Sequence, residues 1–180
     1  MTPHLADTPV LTTERLTLRA PAPRDADAFI RFFTSERSRF VGGPKTPREA
    51  WNFFGTEIGH WALRGYGLFT VTRTGEDRAL GMVGHWFPLG WAETEIGWLI
   101  FDAADEGTGI AREAAAACVA HAWGPLGWTS VVSYIDHGND RSVALAEKLG
   151  ARLDPDAPQP ATSKGETVLV YRHPRPESVA

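Results

Sequence analysis

Leu16, Leu18 and Ala20 alternate with Arg15, Thr17 and Arg19. A period of two belongs to a half-buried strand, so a first strand is predicted over residues 14–20. Pro21-Ala22-Pro23 ends it, and the period then changes. Ala26, Phe29, Ile30 and Phe33 form one stripe of a helix over residues 24–35, with Asp25 and Asp27 at its positive N-terminal end. After a loop over residues 36–45, Thr46-Pro47-Arg48-Glu49 reads as a helix start. Thr caps, Pro takes the first turn and Glu closes a capping box. Trp51, Phe54, Ile58 and Trp61 follow at helical spacing, which assigns these aromatics to the core, and Gly65 ends the helix.

Three strand signals come next, at residues 67–73, 79–87 and 94–101. The turn cluster Thr74-Gly75-Glu76-Asp77 joins the first two as a hairpin. A helix runs from Thr108 or Gly109 to about Trp123, with Ile110, Ala114, Ala117, Cys118 and His121 along one face. A strand at 129–135, a short helix at 140–149 ended by Gly150, a proline-rich loop at 154–160 and a last strand at 166–172 complete the series. The order is β, α, α, β, β, β, α, β, α, then a strand or loop, then β. Interleaved elements of this kind imply an α/β or α+β class with a mixed sheet. The three consecutive strands are expected antiparallel, and residues 94–135 a right-handed parallel crossover. One domain over residues 11–173 is expected, with a flexible N-terminus (1–10) and tail (174–180); no fixed-period repeat is visible.

Composition narrows the function classes. In 180 residues, 43% are hydrophobic and 22% charged, which excludes wholesale disorder. A net charge of −4 argues against a nucleic-acid partner, because phosphate neutralisation needs clustered Lys and Arg. The single cysteine, Cys118, excludes an internal disulfide, and its apolar helix face assigns it to the core. The first ten residues lack a signal-peptide pattern, and no apolar run approaches the roughly 20 residues of a membrane span. A cytoplasmic protein with no membrane partner is therefore expected. The six histidines form no close ligand pair, so no metal is expected, and the absence of a Gly-x-Ser-x-Gly elbow disfavours a serine hydrolase.

Three segments carry candidate chemistry. Glu106-Gly107-Thr108-Gly109-Ile110-Ala111 links a strand to a helix. Glycines allow close backbone approach, and a helix N-terminus presents unpaired N–H donors, so the segment is either an anion cradle or a tight connector. It is neither a P-loop nor a dinucleotide fingerprint, and Asp105 and Glu106 place negative charge beside it. Asn139, between a strand and a helix, either caps the helix or bonds a ligand amide, with Ser142 one turn in. Glu95 shares one strand face with Gly97 and Leu99. Facing a cleft, its pKa would rise toward that of a general base, whereas at the strand's start it would simply be solvated. His85 is a rival base, because His titrates in the useful range. Phe40, Trp86, Phe87 and Trp91 either wall an acceptor pocket or fill core and interface.

Together these segments resemble the GNAT superfamily of acetyl-CoA-dependent N-acetyltransferases, closest to the branch of ribosomal-protein N-terminal (Rim-type) enzymes. The resemblance spans roughly residues 11–172 and rests on the order of "TERLTLRAP", "AETEIGWLI", "EGTGIAREA" and "GNDRSVALAEKLGA". It implies a mostly antiparallel mixed sheet flanked by about four helices, with a V-shaped cleft between two central parallel strands. The family motif of Gln or Arg, two residues, Gly, one residue, then Gly or Ala falls on Glu106, Gly109 and Ala111, with Glu106 departing from it. The resemblance further implies that N–H groups of Gly107, Thr108, Gly109, Ile110 and Ala111 hold the diphosphate of coenzyme A. It places the pantetheine arm against the backbone of Leu99 and Phe101, and Asn139 and Ser142 near the thioester. Phe40, His85 and Trp86 fall on the substrate side. Many members carry a tyrosine four residues after this serine, where this chain has Ala146. The implied activity is acetyl transfer from acetyl-CoA to a primary amine, by a monomer or homodimer, with Glu95, His85 or water as base. The alternatives are an inactive acyl-CoA-binding module and an unrelated nucleotide-phosphate binder.

Overall fold

The period-two segments pair into a single sheet. The computed structural model describes residues 5–161 and 167–176. The strands are β1 (Leu11–Thr12), β2 (Leu16–Arg19), β3 (Leu68–Arg73), β4 (Gly81–Trp86), β5 (Glu95–Ile100), β6 (Val132–Ile135), β7 (Arg152–Leu153) and β8 (Leu169–Arg172). Their spatial order is β1-β2-β3-β4-β5-β6-β8-β7, antiparallel throughout except for the parallel pair β5–β6. The helices are α1 (Ala26–Phe33), α2 (Pro47–Arg64), α3 (Ile110–Trp123) and α4 (Asp140–Lys148).

Alternation along the strands separates two apolar layers. On one face Leu16, Leu18, Phe69, Val83 and Ile96 pack against Ile110, Ala114, Cys118 and Ala122 of α3. On the other, Leu68, Met82 and Leu99 meet Phe29, Phe33 and Phe54 of α1 and α2. The expected start of α2 is present: the Glu49 N–H donates to Thr46 Oγ1 at 3.3 Å, and the Thr46 N–H donates to Glu49 Oε2 at 2.8 Å. Gly65 ends that helix at a left-handed φ of 76°.

Four readings change. Trp51 is 61% exposed, although Phe54 and Trp61 are buried as expected. The buried stripe of α2 is Ala50, Phe54, Glu57 and Trp61, spaced 4, 3 and 4 residues apart, and Trp51 lies off it. The strand expected at 129–135 begins at Val132, because Ser130 is held instead by Glu93 and Arg172 side chains. β1 has no counterpart in the sequence reading, and the segment left as strand or loop is β7. Of the last expected strand, Glu166 lies outside the described residues, as do parts of both termini.

Among the described residues the ladder between β5 and β6 consists of one pair, Glu95↔Val132. The Val132 N–H donates to Thr94 O at 3.0 Å, and beyond it Ser133 Oγ donates to Ile96 O at 2.7 Å. A side chain thus replaces the next backbone rung, and the two strands part toward the C-terminal end of β5. This is the expected V-shaped cleft. Among the described residues no helix is long and apolar enough to cross a membrane.

Candidate active site

The parted strands open into a cleft of about 450 Å³. Its lining brings together Phe40, Trp86, Glu95, Leu99, Asn139 and Ser142, which the sequence reading had assigned to one site. Trp91 also lines it, but Phe87 is absent from the lining and sits under the Arg64 guanidinium, 5.0 Å from its ring centroid.

Glu95 is placed by strand register. It pairs with Trp86 of β4, and Gly97 beside it leaves the carboxylate uncovered. Its Oε2 accepts from Trp91 Nε1 at 2.6 Å. Burial raises its pKa to about 7, against the opposing hydrogen bonds from Trp91 and the Tyr134 backbone. A carboxyl with a pKa near neutrality, in a cleft, has the properties of a general base.

His85 does not belong to this site. Adjacent residues on a strand face opposite ways, so with Trp86 in the cleft His85 turns toward α3. It is fully buried, with Nε2 3.0 Å from Cys118 O and its ring near His121 and Trp128. Burial pushes its pKa down to about 3, so it is neither a substrate contact nor a base of the cleft.

The backbone groups expected to face the cleft are also shifted by one residue. The Phe101 N–H donates to Leu80 O at 2.9 Å, and Leu99 O points at Gly81, where an added Cβ would come within 2.0 Å of it. The Leu99 carbonyl and the Phe101 N–H are therefore directed to β4, and the Phe101 carbonyl accepts from Arg37. Alternation gives the cleft edge to Trp98 and Ile100, in line with Thr94 O and Ile96 O, which already bond toward β6. Leu99 contributes its side chain instead.

Asn139 is the helix cap: its Oδ1 accepts from the Ser142 N–H at 3.3 Å. The carboxamide NH₂ remains for the cleft it lines. Ser142 Oγ accepts from Trp98 Nε1 at 3.1 Å, a contact that joins β5 to α4 across the opening. Ala146 is fully buried against Ile135, Ala151 and Tyr171, so it contributes no group to the cleft.

The glycine segment lies between the end of β5 and α3. Gly107 and Gly109 adopt φ values of 73° and 85°, a region that favours glycine. The first bond of α3 is Glu113 N–H to Gly109 O at 3.0 Å, which leaves the N–H groups of Ile110 to Arg112 without an acceptor within the helix. Arg15 fixes the turn by donating to Thr108 O and pairing with Glu113. The neighbouring acids are neutralised. Asp105 is buried against Arg78, with contacts of 2.9 and 3.2 Å. Glu106 joins Arg37, at 2.5 Å, to Arg141. Arg37 also donates to the carbonyls of Ile100 and Phe101. The departure at Glu106 thus builds an Arg–Glu–Arg bridge over the end of β5, and backbone approach to the turn stays open.

The cleft also contains residues that sequence reasoning missed: Glu57, Ser133, Tyr134 and Asp136. Glu57 lies on the buried stripe of α2, three residues after Phe54 and four before Trp61, and that spacing could have revealed it.

Residues 15–152 match the acetyltransferase (GNAT) domain family. The chain belongs to the GNAT acetyltransferases. An acetyltransferase from Agrobacterium tumefaciens is similar at 35% identity, with a TM-score of 0.84 and coverage of 96% of this chain and 98% of that one. A ribosomal-protein-serine acetyltransferase of Vibrio cholerae, described as putative in its name, shares the fold at 23% identity, with a TM-score of 0.71 and coverage of 96% and 98%. RimL, a ribosomal L7/L12 α-N-protein acetyltransferase solved with coenzyme A, shares it at 18% identity, with a TM-score of 0.70 and coverage of 92% and 97%. The expected GNAT family and its sheet are thereby accounted for.

Proposed function

We propose that the protein transfers the acetyl group of acetyl-CoA to a primary amine, by direct attack in a ternary complex, with Glu95 as the base. The observation that carries this reading is the position of Glu95. It is a half-buried carboxyl with a pKa near 7, in the same cleft as Asn139, Ser142 and the free edge of β5.

The residues present fit coenzyme A. Gly107 and Gly109 present backbone without a Cβ, the α3 N-terminus presents open N–H groups, and the adjacent acids are paired with arginines. Gly107 to Ala111 would hold the diphosphate, and the N–H and C=O groups of Trp98 with the N–H of Ile100 the pantetheine amides, the Ile100 carbonyl being held by Arg37. The bound cosubstrate supplies an activated thioester. Glu95 takes a proton from the acceptor's ammonium, directly or through water. The freed nitrogen lone pair forms the C–N bond, the C–S bond breaks, and the second proton shed by the nitrogen passes through Ser142 or water to the thiolate. Deprotonation is easier for an α-amino group, with a pKa of about 8, than for a lysine amine at about 10.4. The acceptor is a small amine, amino acid or peptide N-terminus, and the enzyme acts in the cytoplasm as a monomer or homodimer, without nucleic acid, membrane or metal.

Calorimetric titration tests the cosubstrate. Micromolar acetyl-CoA binding, far tighter than ADP, is expected; absence of binding would refute the reading. The pH profile tests the base. Because Glu95 acts ionised, kcat/KM should rise with pH through about 7 and then level. Trp91 donates to the ionised form, so Trp91→Phe should move the rising limb to higher pH. A limb that stays in place would remove Glu95 from the role.

A further inference from the structure

Glu57 has no part in the scheme above, yet it lines the same cleft. It is 1% exposed, and its Oε2 is buried without a hydrogen-bond partner. Buried polar groups are nearly always satisfied, and an unpartnered buried carboxyl destabilises the fold that holds it. Such a group at the wall of a ligand cleft marks a contact made by the ligand. Its environment identifies the ligand's charge. Glu57, Glu95 and Asp136 all line the cleft, and Glu57 and Glu95 are close enough to repel each other when ionised. Among the described residues the only Lys or Arg in the lining is Lys45, whose Nζ already donates to Gly42 O at 2.7 Å and lies 5.3 Å from the Phe53 ring centroid. The remaining wall is largely apolar, with Phe33, Phe40, Val41, Phe53 and Trp86.

We propose that Glu57 is a second carboxyl of the acceptor pocket, and that it selects a primary ammonium carried on an apolar body with no carboxylate of its own. The proposal rests on the acetyl-transfer reading for the statement that this end of the cleft receives the acceptor. An ammonium has three donors. Glu95 accepts the proton that must leave, and Glu57 accepts a second N–H and so fixes the nitrogen in one orientation. The entering cation also offsets the repulsion between the two carboxyls. Burial raises the Glu57 pKa to about 8 in the free protein, with Glu95 adding to the shift, and this agrees with a carboxyl that ionises when a cation arrives. An α-carboxylate on the acceptor would instead oppose the ionisation of Glu57 and meet the negative charge of Glu95 and Asp136.

Trp86, Trp91 and Trp98 line the cleft, so tryptophan fluorescence reports occupancy without turnover. The full-length protein is titrated with 2-phenylethylamine and with L-phenylalanine, which differ by the carboxylate alone. The amine is expected to bind at least tenfold more tightly. In Glu57→Gln the Kd for 2-phenylethylamine should rise by about 10-fold or more, the range of one hydrogen bond to a charged group, and the preference over phenylalanine should narrow. Acetyl-CoA affinity should be unchanged, and the melting temperature unchanged or higher, since a neutral amide replaces an unpartnered carboxyl. Glu57→Asp, which keeps the charge but shortens the reach, should fall between the two. Unchanged amine affinity in Glu57→Gln overturns the proposal, as does a wild type that binds both compounds alike or neither. Thiol release from acetyl-CoA separates this outcome from the parent reading. Glu57-dependent amine binding without thiol release would defeat acetyl transfer alone, and thiol release indifferent to Glu57 would defeat this proposal alone.

Discussion

Glu95→Gln should lower kcat by about 10²–10⁴-fold, the usual contribution of a positioned general base, while acetyl-CoA affinity is kept. Gln preserves the shape of the side chain and can still accept from Trp91 Nε1, now 2.6 Å from Glu95 Oε2. It cannot take a proton. The cradle at residues 107–111 and the free edge of β5 are untouched by the change, so cosubstrate affinity is an internal control. Steady-state rates with a responsive amine, paired with calorimetry, give both numbers. A fall of less than tenfold would assign proton removal to solvent. An inactive acyl-CoA-binding module, the alternative that Ala146 raises, would show tight acetyl-CoA binding and no rate to lose in the wild type.

Gly81→Ala is expected to give a large loss of stability. A Cβ there would come within 2.0 Å of Leu99 O and 3.1 Å of Ile100 Cα, both backbone atoms of the neighbouring strand. Backbone in the middle of a sheet has little room to retreat, so β4 and β5 must separate locally. Overpacking of this kind costs about 3 kcal/mol or more. For a chain of this size each kcal/mol lowers Tm by roughly 2–4 °C, so a fall of about 6–12 °C is expected by calorimetry. Activity should suffer beyond the stability loss, because β5 carries Glu95 at one end and the cleft edge at the other. A Tm within a degree of wild type would show that the strands part freely at this point.

Most of the fold was legible because its signals are local. The alternation of Leu16 and Leu18, the capping box at Thr46 and the glycine at 65 each act over a few residues, and each appears where the spacing puts it. Side-chain parity on β4 was equally local, and attention to it would have set His85 apart from Trp86. The cleft edge was harder. Which backbone groups of β5 face outward depends on the register with β4, a long-range property, and a one-residue error exchanges Leu99 and Phe101 for Trp98 and Ile100. The Glu106 departure also needed tertiary structure, since Arg37 and Arg141 come from elements far apart in the chain. Glu57 was overlooked because an acid in a helix reads as a solvated face, although its place in the buried stripe contradicts that reading.

The parted strands have a consequence for solubility. An unpaired strand edge is a template on which other chains can add and aggregate, and proteins ordinarily blunt such edges on their outer rim. Here the reactive edge is in the interior of an eight-stranded sheet, flanked by β6 and spanned by the Trp98–Ser142 contact. A thin amide-bearing arm can reach it, whereas a second polypeptide strand would have to displace the Trp98–Ser142 contact and push β6 further from β5. The protein can therefore keep an open hydrogen-bonding edge for its ligand and remain protected from self-association through that edge when the ligand is scarce.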